Sequence, residues 1–261
     1  MSLGGGVPAT MVNTGRLGVP SKVLTFLGDD FFSEYARTQL ERNGADVVNL
    51  YDGNGMPVVL SSTMVCNGDR SFLSYRDEVK ITDNMCEEIY KHLCGARVVA
   101  MHIGFAEVYK KLKSEGTIQV FDMGWDDDMS IEKYREYLET ADYYLPNQKE
   151  ALKITGASTL EEAADRLGQY FEDVIIKLDK DGCMLKNKHG TKIIEPLEIV
   201  GCVDSTGAGD AFMSGFIYGL YHKYPIEQCI RFGNITGGKC VERVGCLAGY
   251  VNEQQLLELG E

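Results

Sequence analysis

Short β-branched runs alternate along this chain with amphipathic segments of helical period, and that alternation restricts the fold more than any single residue. SKVLTFLG, DVVNLY, RVVAMHIG, TIQVFDMG, DYYLPN and DVIIKL read as strands; DFFSEYARTQLERNG, DNMCEEIYKHLCG, SIEKYREYLETA and TLEEAADRLGQYF read as helices. The pattern implies an α/β fold in which a mostly parallel sheet is covered by helices on both faces. One segment departs from it. Between Met56 and Asp77, VVLSSTMVC and SFLSYRD flank NGDR, and Asn67-Gly68 supplies the positive φ angles of a type I′ hairpin. This predicts a small antiparallel flap, inserted at about 46–78 in a single domain of residues 1–261. A second hairpin, CMLKNKHGTKIIEPL, turns at His189-Gly190 and should extend one sheet edge. PIEQCIRFGNITGGKCVERVG and NEQQLLELG read as closing helices, and the helix faces carrying Tyr134, Tyr137 and Leu138, or Phe212, Phe216 and Leu220, have core spacing.

Composition removes several classes of function. With 44% hydrophobic and 25% charged residues, 261 residues can bury a full core. Thirty-nine acidic against 26 basic residues leave a formal charge of −13, which repels nucleic acid in the absence of a basic run, and none occurs. No apolar stretch approaches the roughly 18 residues that span a bilayer, and MSLGGGVPAT lacks the segments of a signal peptide, so the expected setting is the cytoplasm. The eight cysteines form no C-x-x-C pair and have no nearby histidines, which points to buried free thiols.

The stretch 202-CVDSTGAGDAFMSG-215 carries the chemistry. Gly207, Ala208 and Gly209 have little side chain, so their N–H groups can approach an anion, and the apolar helix that follows aims its positive end at the same point. An aspartate in that first turn, Asp210, can accept a hydroxyl proton as a phosphoryl group arrives. The bland alternative is a first-turn acid beside glycines that serve packing. No G-x-x-x-x-G-K-[ST] occurs, and Phe212 stands where a dinucleotide fingerprint has its third glycine.

DSTGAGDAF closely resembles the second signature of the ribokinase, or PfkB-type, family of carbohydrate kinases, D-T-x-G-A-G-D-x-F. At the other end, 4-GGGVPATMVNTGRLG-18 resembles the family's first signature, 146-PNQKE-150 its N-x-x-E element, and 175-IIKLDKDG-182 the strand and turn beside the nucleotide. The resemblance implies a ribokinase-like three-layer α/β/α fold with a β flap over the sugar. It implies ATP as phosphoryl donor, Asp210 as base and the 207–209 backbone as anion hole. Asn147 and Glu150 would organise Mg²⁺ through water. Lys177, Asp179, Gly182, Asn234 and Gly238 would line the nucleotide site. Gly4, Gly5, Gly6, His102 and Asp122 would face the sugar, and Asp204, Thr206, Arg243 and Gly245 would form a K⁺ loop through backbone carbonyls. The apolar alternation Val58, Leu60, Ser62, Met64 would let flaps pair into a homodimer.

The chain also departs from the family. Members have a first strand ahead of the paired glycines, carrying an acid or asparagine for the sugar; it has no counterpart here, and Met1-Ser2-Leu3 looks like an artificial start on a shortened frame. Thr10 replaces a common asparagine, Asp179 a common glycine, and Met123-Gly124-Trp125 follow Asp122 where the family often has D-x-N. Trp125 is a candidate pocket wall, and Arg76 reads as flap surface. FDMGW resembles the fructosamine-phosphorylating (fructoselysine kinase) branch, while ribose, fructose, 2-keto-3-deoxygluconate and nucleosides stay open. A non-catalytic nucleotide or sugar sensor on the same fold, or a pyridoxal-type kinase, is the alternative.

Overall fold

The computed structural model describes residues 2–66, 69–199 and 201–261. Helix α1 (Gly6–Arg16) precedes β1 (Lys22–Thr25), α2 (Phe31–Arg42) and β2 (Asp46–Asn49). Strands β3 (Leu60–Cys66) and β4 (Asp69–Tyr75) follow, then α3 (Asp83–Leu93), β5 (Val98–Met101), α4 (Ala106–Ser114), β6 (Ile118–Phe121), α5 (Ile131–Thr140) and β7 (Tyr143–Tyr144). The chain continues through α6 (Gln148–Thr155), α7 (Leu160–Leu167), β8 (Val174–Lys177), β9 (Cys183–Asn187), β10 (Gly190–Ile194), α8 (Ala208–Tyr221), α9 (Ile226–Cys240) and α10 (Glu253–Gly260).

Helix starts follow from local chemistry. Asp30, Thr82, Ser130 and Thr159 each accept a first-turn N–H through a side-chain oxygen, and Asn147 and Asn252 head reciprocal capping boxes. These side chains satisfy amides that have no partner inside the helix.

Strands β5, β6 and β7 pair in parallel, a parallel bridge from Asn147 to Lys177 carries the sheet on to β8, and β8, β9 and β10 pair antiparallel. Adjacent residues of one strand enter different cores. Val120 packs with Phe212, Phe216 and Ile230, whereas Phe121 packs with Tyr137, Leu138 and Tyr144; Ile175 and Ile176 divide the same way. Because side chains alternate across a strand, this is what a sheet covered on both faces requires.

Strands β1 and β2 form a separate parallel pair. Between that pair and β5 lies a cavity of about 770 Å³, lined by Leu24 and Thr25 on one side and Val98 and Ala100 on the other. Strands β3 and β4 pair antiparallel with Cys66 opposite Asp69; the Asn67-Gly68 turn expected between them lies outside the described residues.

Sequence reading missed α1, α4 and α6, which are short or start among glycines, and overstated β7, which has two residues. The second hairpin turns at Lys188-His189, with Gly190 as the first residue of β10. Among the described residues no helix is long and apolar enough to cross a membrane.

Helix α8 is buried on nearly every side because α9 covers the face turned away from the sheet. The two backbones approach closely: a Cβ added at Gly215 would stand 2.3 Å from the Phe232 carbonyl oxygen and 2.5 Å from Thr236 Oγ1. Gly215→Ala should therefore destabilise the fold by about 1–3 kcal/mol, the range for overpacking a tight interior, which thermal or denaturant unfolding would measure.

Candidate active site

Helix α8 begins at the glycine loop, and its N-terminus is shaped by tertiary contact. Gly207 occupies the N-cap with φ +82°, and a Cβ there would fall 2.2 Å from Cys246 Cβ. A Cβ on Gly209 would stand 3.3 Å from Lys177 Nζ and 3.9 Å from Asp122 Oδ2. Bare backbone at these positions leaves a cradle between the helix end and a buried ammonium. The Ala208 amide donates to the Ser205 carbonyl at 3.3 Å, while those of Gly207 and Gly209 have no acceptor among the described residues.

Asp210 joins the two ends of the chain. Its Oδ2 accepts a hydrogen bond from the Gly6 amide at 3.0 Å, and Thr10 Oγ1 donates to the Asp210 carbonyl at 3.2 Å. Thr10 thus holds the first-signature helix against the second signature. Burial, with the Asp122 charge adding to it, pushes the Asp210 carboxyl up to about 6; the Gly6 hydrogen bond and Lys177 pull the other way.

The charge balance around Asp210 comes from two strand ends. Asp122 follows β6 and Lys177 closes β8; their side chains, each 13% exposed, meet at 2.7 Å. Burial opposes the charge of Lys177, but Asp122, Glu150 and Asp210 together hold its affinity for the proton above the usual lysine value. Glu150 is buried as well, and burial raises its carboxyl while Lys177 draws it down. Its Oε2 accepts the Asn147 amide at 2.8 Å, and Asn147 Oδ1 accepts the Glu150 amide at 3.0 Å. Among the described residues no three of His, Cys, Asp and Glu converge as a metal cage. One buried carboxylate beside a helix N-terminus of bare backbone is a donor set that fits Mg²⁺, an ion that keeps several waters and takes few protein ligands.

The other expected site residues distribute around this centre. Asp122 sits beside Lys177 and Gly209, at the cradle, and is not among the residues lining the cavity. Asp179 has φ +56°, a left-handed conformation that glycine adopts without strain, and its carboxylate accepts from Gln148 Nε2 at 2.7 Å. A Cβ on Gly182 would meet the Ile194 carbonyl oxygen at 2.2 Å, and one on Gly238 would meet Leu197 at 3.0 Å, so both serve close packing. Asn234 donates to the Ile194 and Glu195 carbonyls, which commits its amide group to holding the end of β10. The Asp204 carboxylate accepts the Thr206 and Gly245 amides, each at 2.9 Å, and so ties the glycine loop to the Arg243–Gly245 turn.

Gly4, Gly5, Gly6 and His102 line the 770 Å³ cavity, together with Arg76. His102 Nδ1 lies 2.9 Å from the Ile103 carbonyl; a carbonyl only accepts, so Nδ1 carries a proton and donates to it. Trp125 does not form a pocket wall: it is exposed, and its indole N–H donates to Asp127. Cys94 and Cys202 are exposed rather than buried, since they lie outside the core elements. Cys246 belongs to the turn that resembles the family's cation loop, but its packing on Gly207 had no signal in the sequence.

Solved sugar and nucleoside kinases share this architecture. A ribokinase from Giardia lamblia superposes with a TM-score of 0.83 over 97% of this chain and 88% of that one, at 18% identity. An Arabidopsis thaliana ribokinase complexed with ribose and ATP gives 0.80 over 97% and 86%, at 21% identity. The fold is therefore ribokinase-like. The chain belongs to the pfkB family of carbohydrate kinases, whose family model matches residues 1–253. Among curated relatives, a 5-dehydro-2-deoxygluconokinase of Geobacillus kaustophilus is 27% identical over 93% of this chain and 80% of its own length. A fructoselysine 6-kinase of Shigella flexneri is 24% identical over 93% and 90%. An uncharacterized sugar kinase of Archaeoglobus fulgidus is 35% identical over 43% of this chain and 44% of its own. The chain is thus a kinase of sugars or sugar derivatives.

The Asp210 environment makes a stability prediction with a definite sign. A carboxyl raised from 3.8 to about 6 binds its proton more tightly in the native state. The resulting stabilisation is fully present below pH about 4 and is lost as pH rises through about 6. Asp210→Asn carries no charge to bury, so it should gain on the wild type between pH 5 and pH 8 by on the order of 1–3 kcal/mol, read by thermal unfolding across that range.

Proposed function

We propose that this kinase transfers the terminal phosphoryl group of ATP to a hydroxyl of its sugar substrate, with Asp210 as general base. The observation that carries the reading is the 3.0 Å hydrogen bond between Gly6 and Asp210, which puts a raised carboxyl at the meeting point of the cavity and the glycine cradle. One carboxylate oxygen is held by the Gly6 amide. The other is left for the incoming hydroxyl, and a base with a pKa near 6 is ionised at neutral pH yet basic enough to take a proton as the oxygen attacks.

The negative charge of the transferring group falls on the 207–209 backbone and the α8 N-terminus, preorganised donors that need no rearrangement. Lys177, released from Asp122, would lie within reach of the same group. Glu150 and Asn147 would hold Mg²⁺ through water; the ion, when bound, withdraws charge from the phosphoryl oxygens. Asp179, Gly182, Asn234 and Gly238 would shape the nucleotide wing through backbone conformation, packing and hydrogen bonds. The Asp204, Thr206, Arg243 and Gly245 turn would take K⁺ through carbonyl oxygens, its carboxylate fixing the loop geometry. His102 Nε2 would accept a sugar hydroxyl. The relatives named for 5-dehydro-2-deoxygluconate and fructoselysine favour a sugar derivative over a nucleoside.

Asp210→Asn should lower kcat by roughly 10²- to 10⁴-fold with little change in ATP affinity, measured by ADP release and nucleotide titration. A binding module would have no sugar-dependent turnover to lose. In the wild type, kcat/KM should rise with pH through an acid limb near 6 and then level off, the limb reporting Asp210; an acid limb near 4 would remove the raised base from the mechanism.

A flap-to-flap homodimer belongs to the same proposal. Leu60 lies opposite Tyr75 and Ser62 opposite Leu73, so Leu60, Leu73 and Tyr75 share one face with Met64, and all four are exposed. Light scattering of wild type against a Leu73→Glu, Met64→Glu double variant should show a dimer becoming a monomer.

A further inference from the structure

The lining of the large cavity runs against the composition of the chain. Among the described residues no aspartate or glutamate lines it, whereas Lys22, Arg76, Arg97, His92 and His102 do. A protein of formal charge −13 repels anions over most of its surface, so a wall free of carboxylates and supplied with cations is where an anion is favoured. Two of the three full cations are engaged. Lys22 pairs with Asp46 at 3.6 Å; Arg97 lies over the Tyr221 ring at 4.6 Å and donates to the Tyr221 carbonyl.

Arg76 makes no hydrogen bond or ion pair among the described residues. Its neighbour Asp77, the partner closest in sequence, is occupied: the carboxylate accepts the Met56 amide at 2.6 Å and the Tyr75 hydroxyl at 2.7 Å. The Asp77 amide in turn donates to the Met56 carbonyl at 2.9 Å. These bonds clamp the entry and exit of the β3–β4 hairpin, so Arg76 projects from a fixed backbone at the cavity wall.

We propose that the substrate is a sugar acid, its carboxylate held by Arg76 at the flap end of the cavity while a hydroxyl faces Asp210; this rests on the kinase reading above and names its substrate class. The planar guanidinium fork matches a carboxylate with two parallel N–H···O bonds. The one lining cation unpaired among the described residues, Arg76, balances one negative charge, whereas a phosphate ester, at about −1.5 to −2, would be left under-compensated. Carboxylate and base are both anionic, so the acid end must point away from Asp210. The phosphorylated hydroxyl is therefore one distant from the carboxylate.

Calorimetric binding and ADP release would be measured with D-gluconate, 2-keto-3-deoxygluconate, D-glucose, D-fructose and glucose 6-phosphate, using wild type, Arg76→Ala and Arg76→Lys. A sugar acid should bind the wild type more tightly than the neutral sugars. Arg76→Ala should weaken it roughly 10- to 100-fold, the worth of a charge-assisted hydrogen-bond pair, with Arg76→Lys between the two. The loss should fall on KM more than on kcat, and the preference for acid over neutral sugar should collapse. Equal binding of neutral and acidic sugars, preference for glucose 6-phosphate, no binding of either acid, or an equal loss for both classes in Arg76→Ala would each overturn the proposal. Binding is read without turnover, so the two ideas fail separately. A sugar acid held through Arg76 but never phosphorylated would sink the kinase reading alone; Asp210-dependent phosphorylation of neutral sugars without acid preference would sink only this one.

Discussion

A carboxyl held where burial penalises its charge places a demand on the rest of this structure. Asp210 meets that demand through a backbone amide contributed from 204 residues away and an ammonium contributed by a neighbouring strand. Neither support is local to the α8 turn. The sheet has to place the ends of β6 and β8 side by side so that Asp122 can hold Lys177, and α1 has to dock on α8 so that Gly6 faces the carboxylate. Loss of either element leaves a buried charge without compensation, which costs several kcal/mol.

The cluster of Asp122, Glu150, Asp210 and Lys177 holds three acids against one base, and its members push one another in opposite directions. In a phosphoryl-transfer site such an imbalance has a use. Surplus carboxylate attracts a hydrated cation and keeps a base from being too acidic, while the single ammonium and the bare amides favour the anion that accompanies that cation. The cavity on the far side of Asp210 has the reverse bias, with cations and, among the described residues, no acids in its lining. The two sides of Asp210 thus differ in electrostatic character among the described residues.

Much of the architecture was legible in sequence. The alternation of strands and helices gave the covered sheet, and the two hairpins lay close to their expected places. What escaped was short or unconventional: α1 starts among glycines, α4 and α6 span nine and eight residues, and β7 keeps two residues because its chain turns into the Asn147 capping box. At the site, the glycine loop and Asp210 were readable because small residues before an apolar helix have few other uses. Trp125 was misplaced because nothing local says that its indole turns out to Asp127. Arg76 was read as flap surface and is exposed, but that it also reaches the cavity wall depends on how the flap folds over the sheet.

Local sequence settled which segments become helix or strand, where most helices are capped, and which loop can present bare amides, because those depend on neighbours within a turn or two. Tertiary structure alone decided that Gly6 meets Asp210, that Lys177 is shared among three carboxylates, that Cys246 closes over Gly207, and that the cavity wall excludes acid. These are contacts between residues tens to hundreds of positions apart. Their energies depend on distance and burial, and neither quantity exists until the chain has folded.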